Sequence, residues 1–159
     1  MNRHSDDSHA PATLPASLNR LAFGATVHCL TGCAIGEILG MALGTALAWS
    51  NAATIVLATA LAFVTGYALT MFPLLRAALP IKRALGLAFA ADTVSIAIME
   101  IVDNLVMIVI PGAMDAQLSD VLFWGSLAVS LAIAGVAAYP ANRWLIARGK
   151  GHAAVHAHH

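Results

Sequence analysis

Apolar residues fill the chain in four long blocks, from Leu21 to Ala48, Ala52 to Leu75, Ala84 to Ile110 and Val121 to Ile146. Each block reaches the roughly 20 residues that cross a hydrocarbon core as a helix. The expected fold is therefore all-α: a polytopic membrane protein built as a four-transmembrane-helix bundle. Trp49, Ser50 and Asn51 leave only a tight link, which makes the first two helices antiparallel. The third and fourth are joined by "PGAMDAQLSD", where Pro111 and Gly112 stop one helix and Ser119 or Asp120 stands where a cap is needed for the next. Three regions follow: a polar tail over 1–17, expected to be disordered, the transmembrane domain over 18–147, and a His-rich tail over 148–159. The first tail lacks the apolar segment behind a basic start that marks a secretory signal peptide.

Composition agrees with the pattern. The chain is 60% hydrophobic and 10% charged, far below the roughly 25% charged residues of soluble domains. Zero net charge argues against a nucleic-acid partner. The two cysteines, Cys29 and Cys33, make no disulfide framework and read as thiols about 6 Å apart along one helix. Charge matters more by position than by sum. Arg3 and Arg20 precede the first span, Arg76, Lys82 and Arg83 separate the second and third, and Arg143, Arg148 and Lys150 follow the fourth. With four spans all of them fall on one side, and the other side carries only Asp115 and Asp120. The positive-inside rule then places both termini in the cytoplasm.

The two halves also resemble each other. "FPLLR" ends the second span and "YPANR" the fourth, displaced by 67 residues. The same displacement sets Thr26 on Thr93, Cys33 on Glu100, Gly36 on Asp103 and Glu37 on Asn104. Two tandem helical hairpins of like orientation would correspond to the parallel-repeat architecture of some transporters.

Four acids interrupt the apolar blocks: Glu37, Asp92, Glu100 and Asp103. An acid near the centre of a membrane helix costs roughly 2.5–3.5 kcal/mol on insertion scales and is functional by default. No Lys or Arg lies at comparable depth, so the acids need a proton, a cation, a water-filled cavity or His28. Counted from Arg20 and Arg83, Cys29 and Asp92 are each nine residues into their helices, and Glu37 and Glu100 seventeen. The first and third helices are thus expected to face each other along one axial polar track. On the third helix Asp92, Met99 and Asp103 share a narrow arc, with Glu100 on its shoulder and Asn104 following. The first helix carries two stripes. Gly32, Gly36, Gly40 and Gly44 have the small-residue spacing that lets membrane helices approach closely, within the bundle or across a homodimer. Cys29, Cys33, Glu37 and Met41 form a ladder of thiols, carboxylate and thioether beside them. His28 lies nearly opposite Glu37, so a straight helix does not aim both at one ion.

Each of these residues has a plainer reading. Cysteines and methionines, Met41, Met71 and Met107 among them, commonly serve as adaptable hydrophobes, and Asn104 as a helix-to-helix hydrogen bonder. The acids resist such a reading most strongly. The spans hold no phosphate loop, nucleophile elbow or two-histidine metalloprotease helix, which leans away from an enzyme.

The run His28-Cys29-x-x-Gly32-Cys33-x-x-Gly36-Glu37, with Asp92 and Glu100-x-x-Asp103-Asn104 further on, resembles a bacterial family of small integral-membrane proteins known only as a domain of unknown function, the four-three-nine-six family. The resemblance covers about Leu18 to Ala147. It implies a compact domain in the bacterial cytoplasmic membrane and marks these residues as a polar signature; it implies no activity.

Thiolate and thioether suit Cu(I), imidazole suits zinc, nickel and copper, and carboxylates suit harder ions. The expected function is a transition-metal-binding membrane protein, a permease or carrier for a copper- or zinc-like ion. His28, Cys29, Cys33, Glu37 and Met41 would hold the metal. Asp92, Met99, Glu100, Asp103 and Asn104 would form a second site or a proton or ion pathway. His152, His156, His158 and His159 would collect metal on the cytoplasmic side. A proton-coupled exporter of organic cations, and a thiol-redox or haem protein, stand as alternatives.

Overall fold

The computed structural model describes residues 15–148. The N-terminal stretch before Pro15 and the four histidines His152, His156, His158 and His159 lie outside the described residues. Four helices follow in order: α1 (Pro15–Ala46), α2 (Asn51–Arg76), α3 (Ile81–Val109) and α4 (Val121–Ala147), with a short 3-10 turn at Ala113–Asp115 between the last two. All four are long and apolar enough to cross a membrane, and the protein is an all-helical membrane bundle. The first helix begins six residues before the apolar block that predicted it. Proline is well suited to a first helical turn because its missing N–H is unpaired there anyway.

The links have recognisable chemistry. Ser50 caps α2, its hydroxyl accepting from the Ala53 N–H at 3.4 Å. Gly112 takes the left-handed conformation (φ 78°) just beyond α3, where Pro111-Gly112 was expected to stop it. Asp120 occupies the N-cap position of α4 but does not cap it. Its carboxylate instead accepts from the Gln117 N–H at 2.8 Å, tying the loop to itself. Asn51 donates to Asp115 at 3.2 Å, so the α1–α2 and α3–α4 links meet at one end of the bundle, the hairpin end. The described Lys and Arg residues are all exposed and gather at the other, basic end.

Two alanines turn corners usually given to glycine. Ala48 (φ 53°) and Ala78 (φ 59°) are left-handed just past α1 and α2, and the Trp49 N–H reaches back to the Gly44 carbonyl at 2.9 Å. A left-handed L-residue costs about 1–2 kcal/mol, and glycine is the usual occupant at this place. Ala78→Gly is therefore expected to raise the thermal midpoint in detergent, with a gain of up to about 1 kcal/mol. A lower midpoint would show that the Ala78 methyl holds contacts worth more than the backbone strain.

Packing runs α1 on α2, α2 on α3, α3 on α4 and α4 back on α1, with α1 and α3 also in contact across the middle. The glycine stripe serves the α1–α2 contact. A Cβ on Gly32 would lie 2.7 Å from Gly66, on Gly36 2.2 Å from Ala62, on Gly40 2.3 Å from Ala58, and on Gly44 2.3 Å from Thr54. Four-residue steps up one helix thus match four-residue steps down the other. Thr65 closes the same seam by donating to the Gly32 carbonyl at 2.6 Å. The outer surface is apolar, with Phe23, Val56, Ile101, Val109 and Val136 among the large exposed side chains. The interior holds the polar groups: Glu37, Asp92, Ser95, Glu100, Asp103, Ser126, Ser130 and Asn142 are all buried. Asn142 donates to Thr26 at 2.9 Å and fastens α4 to α1 near the basic end.

Candidate functional site

The ladder on α1 and the acids on α3 meet along the middle of the bundle, with Cys29, Cys33 and Glu37 each facing an acid. Nearest the basic end, the Cys29 thiol donates to Asp92 at 3.8 Å. Cys33 faces Glu100 one turn further on. Beyond it Glu37 faces Asp103, with Glu100 also in its field. Four-residue steps on α1 bring successive side chains to one face, and α3 answers with Asp92, Met99, Glu100 and Asp103 on its inward arc. Cys29, Cys33, Asp92, Glu100 and Met99 are at most 3% exposed.

Depth counted from the arginines predicted Cys29 level with Asp92, and the two are hydrogen-bonded. It set Glu37 level with Glu100, whereas Glu37 faces Asp103 and Glu100 stands between Cys33 and Glu37. Counting from a flanking charge fixes depth only to about one turn.

His28 belongs to a different face. It lies four residues before Gly32 and continues the glycine stripe, so it points toward α2, where it is hydrogen-bonded to Thr70 at 3.0 Å. Thr70 in turn lies beside Asp92, linking the histidine to the acid track through one hydroxyl. Among the described residues, no three of His, Cys, Asp and Glu converge to hold one metal ion. The donors are spread as pairs along an axis.

The carboxylates carry few bonds. Both oxygens of Glu37, both of Glu100 and one of Asp103 are buried without a hydrogen-bond partner among the described residues. Uncharged neighbours stand close by: Thr59 beside Glu100 and Ser130 beside Asp103. Asn104 donates to the Glu100 carbonyl at 2.8 Å and to Thr59 at 3.4 Å, which stiffens the α2–α3 contact. A charged carboxylate left unpaired in such surroundings is costly enough that it takes up a proton or a cation. Three such groups stand in a row along the α1–α3 axis.

The track opens toward the hairpin end. A cavity of about 30 Å³ is bordered by Glu37, Met41, Asp103, Asn104, Met107 and Met114, with Phe123 and Leu127 closing its α4 side. Beyond it lies a polar vestibule of about 260 Å³, bordered by Thr45, Asn51, Thr54, Asp115 and Gln117 and again by Met41 and Met114. Thr59, Thr70, Ser95, Ser130, Met107 and Met114 are the additions to the residues expected from sequence. Met107 was legible, since it follows Asp103 by four residues as Met41 follows Glu37. Met114 was not, because its place depends on how the loop folds back.

No curated protein and no solved structure matches the chain. The model of the family described as "Domain of unknown function (DUF4396)" matches residues 19–151, nearly the whole bundle, and the chain belongs to that family.

Proposed function

We propose that the protein is a small membrane carrier for an inorganic cation, a transition-metal ion, which moves along the α1–α3 axis in exchange with protons on the carboxylates. The observation that carries this reading is the row of buried carboxylates at Glu37, Glu100 and Asp103, five of whose six oxygens lack a hydrogen-bond partner among the described residues, with no buried Lys or Arg among those residues. Intramembrane acids of this kind mark ion pathways and proton relays. The interleaved thiols and thioethers supply ligands for a softer metal. Separate rungs favour passage: an ion that leaves one pair meets the next, and a site that binds weakly in several places releases its cargo. The cavity favours the inorganic-ion reading over the organic-cation one. At about 30 Å³ it has room for water-sized species, which suits a dehydrated ion better than an organic cation.

The test is flux into liposomes that hold the purified chain, with Cu(I), Zn(II), Ni(II) and Mn(II) offered in turn and internal pH recorded. One of these ions is expected to accumulate with proton release, and Asp103→Asn is expected to slow it at least tenfold. Vesicles that stay closed to every metal yet pass a lipophilic organic cation in a Glu37-dependent manner would overturn the reading in favour of an organic-cation exporter.

A further inference from the structure

The carboxylates and cysteines leave open which ion is taken, because one set is hard and the other soft. The residues at the mouth are less ambiguous. Met41 and Met107 border the small cavity, and Met41 also borders the vestibule. Each methionine stands four residues beyond an acid of the track, Met41 beyond Glu37 on α1 and Met107 beyond Asp103 on α3. The two helices thus present a carboxylate and then a thioether, in the same order, toward the hairpin end. Met114, carried by the short turn between α3 and α4, borders both spaces from the third side.

We infer that Met41, Met107 and Met114 form a thioether sieve at the mouth of the track, which takes a soft monovalent metal ion, Cu(I) or Ag(I), from the vestibule and hands it to Glu37 and Asp103. The inference rests on the carrier reading and names its cargo class. Three arguments support it. Thioethers select Cu(I) over zinc and harder ions. They are neutral, so they offset little of the cost of stripping a divalent ion of water, whereas a monovalent ion needs only one of the carboxylates beneath to balance it. The side chains also border a space instead of filling one, and two acids of the track, Glu37 and Asp103, border that same space.

The volume-conserving replacement makes a clean test. Met to Leu keeps size and hydrophobicity and costs less than about 1.5 kcal/mol in most cores, so a packing role predicts no change in ion binding. Ag(I), which does not change oxidation state, is the probe, and the full chain in detergent carries Cys29→Ser and Cys33→Ser so that any sulfur ligand is a methionine. Equilibrium dialysis with elemental mass spectrometry reads the affinity, and Ag K-edge absorption reads the ligand atoms. The Met41→Leu/Met107→Leu/Met114→Leu variant is expected to lose the sulfur shell. Its affinity should fall by at least the ~10-fold that losing even an outer-shell partner costs at a metal site, with its melting temperature held within a few degrees. Unchanged Ag(I) binding in the folded triple variant would overturn the sieve. Vesicles that carry zinc or manganese but neither bind nor move Ag(I) would overturn it too while leaving the carrier intact. Vesicles that move no cation of any kind would end both.

Discussion

Gly36→Ala is expected to prevent the bundle from closing. The new methyl would sit 2.2 Å from the Ala62 nitrogen and 2.3 Å from its Cα. Backbone is what stands in the way, so no rotamer relieves the clash and the two helices must part. Separation there loosens the contacts in line with it: the Thr65 bond to the Gly32 carbonyl and the His28 bond to Thr70. Overpacking a tight core costs typically 1–3 kcal/mol, and a backbone clash on a seam repeated at Gly32, Gly40 and Gly44 belongs at or above the top of that range. Gly24 and Gly125 are the controls, since a Cβ at either meets nothing within 4 Å. Alanine there should leave stability unchanged or raise it by about 0.5–1 kcal/mol through helix propensity. Thermal stability in detergent, followed by the monodisperse fraction on size exclusion, separates the two groups. A Gly36→Ala protein that melts like Gly24→Ala would mean that the α1–α2 seam is not close-packed.

The same seam shows where a sequence of this type is legible. Four apolar blocks give four helices because nothing but a helix or a closed barrel satisfies its backbone in hydrocarbon. The glycines on α1 stand out because glycine is expensive in a helix unless close approach repays it. Their partners on α2, Thr54, Ala58, Ala62 and Gly66, do not stand out, because they are small residues among other small residues. In a soluble helix a polar outer face would mark the buried one by contrast. Here both faces are apolar, and Phe63, packed on the core, looks no different in sequence from the exposed Val64. The acids escape this difficulty since a charge has only one place to go. That is why Asp92, Glu100, Asp103 and Glu37 could be assigned to one inward track from spacing alone. His28 could have been placed as well: it is one four-residue step before Gly32, so whatever the glycines face, it faces. Met114 required the folded loop, and neither hydropathy nor helical spacing reaches it.

Glu37→Gln is expected to make the protein more stable and less able to move ions. Glu37 is 6% exposed, its carboxylate oxygens are buried, and the groups that face it are two further acids, Asp103 and Glu100. Nothing in that list favours an acid over an amide for folding. Keeping the acid buried requires a proton or cation taken from solution, whereas the amide is neutral at every pH and brings an N–H donor to the facing Asp103, so replacing the acid with its uncharged isostere should raise the thermal midpoint by several degrees. The same substitution removes the one carboxylate in the α1 ladder, and on the carrier reading Met41 beyond it would then hand its ion to no charge on that helix. Flux is expected to fall at least tenfold, a stability gain set against a loss of activity of the kind that functional sites show. Opposite signs in the two measurements are what distinguish a site from a scaffold. If the midpoint of Glu37→Gln instead dropped while ion movement survived, the glutamate would be a structural acceptor for a donor on a neighbouring helix, and ion exchange would begin at Asp103 on α3.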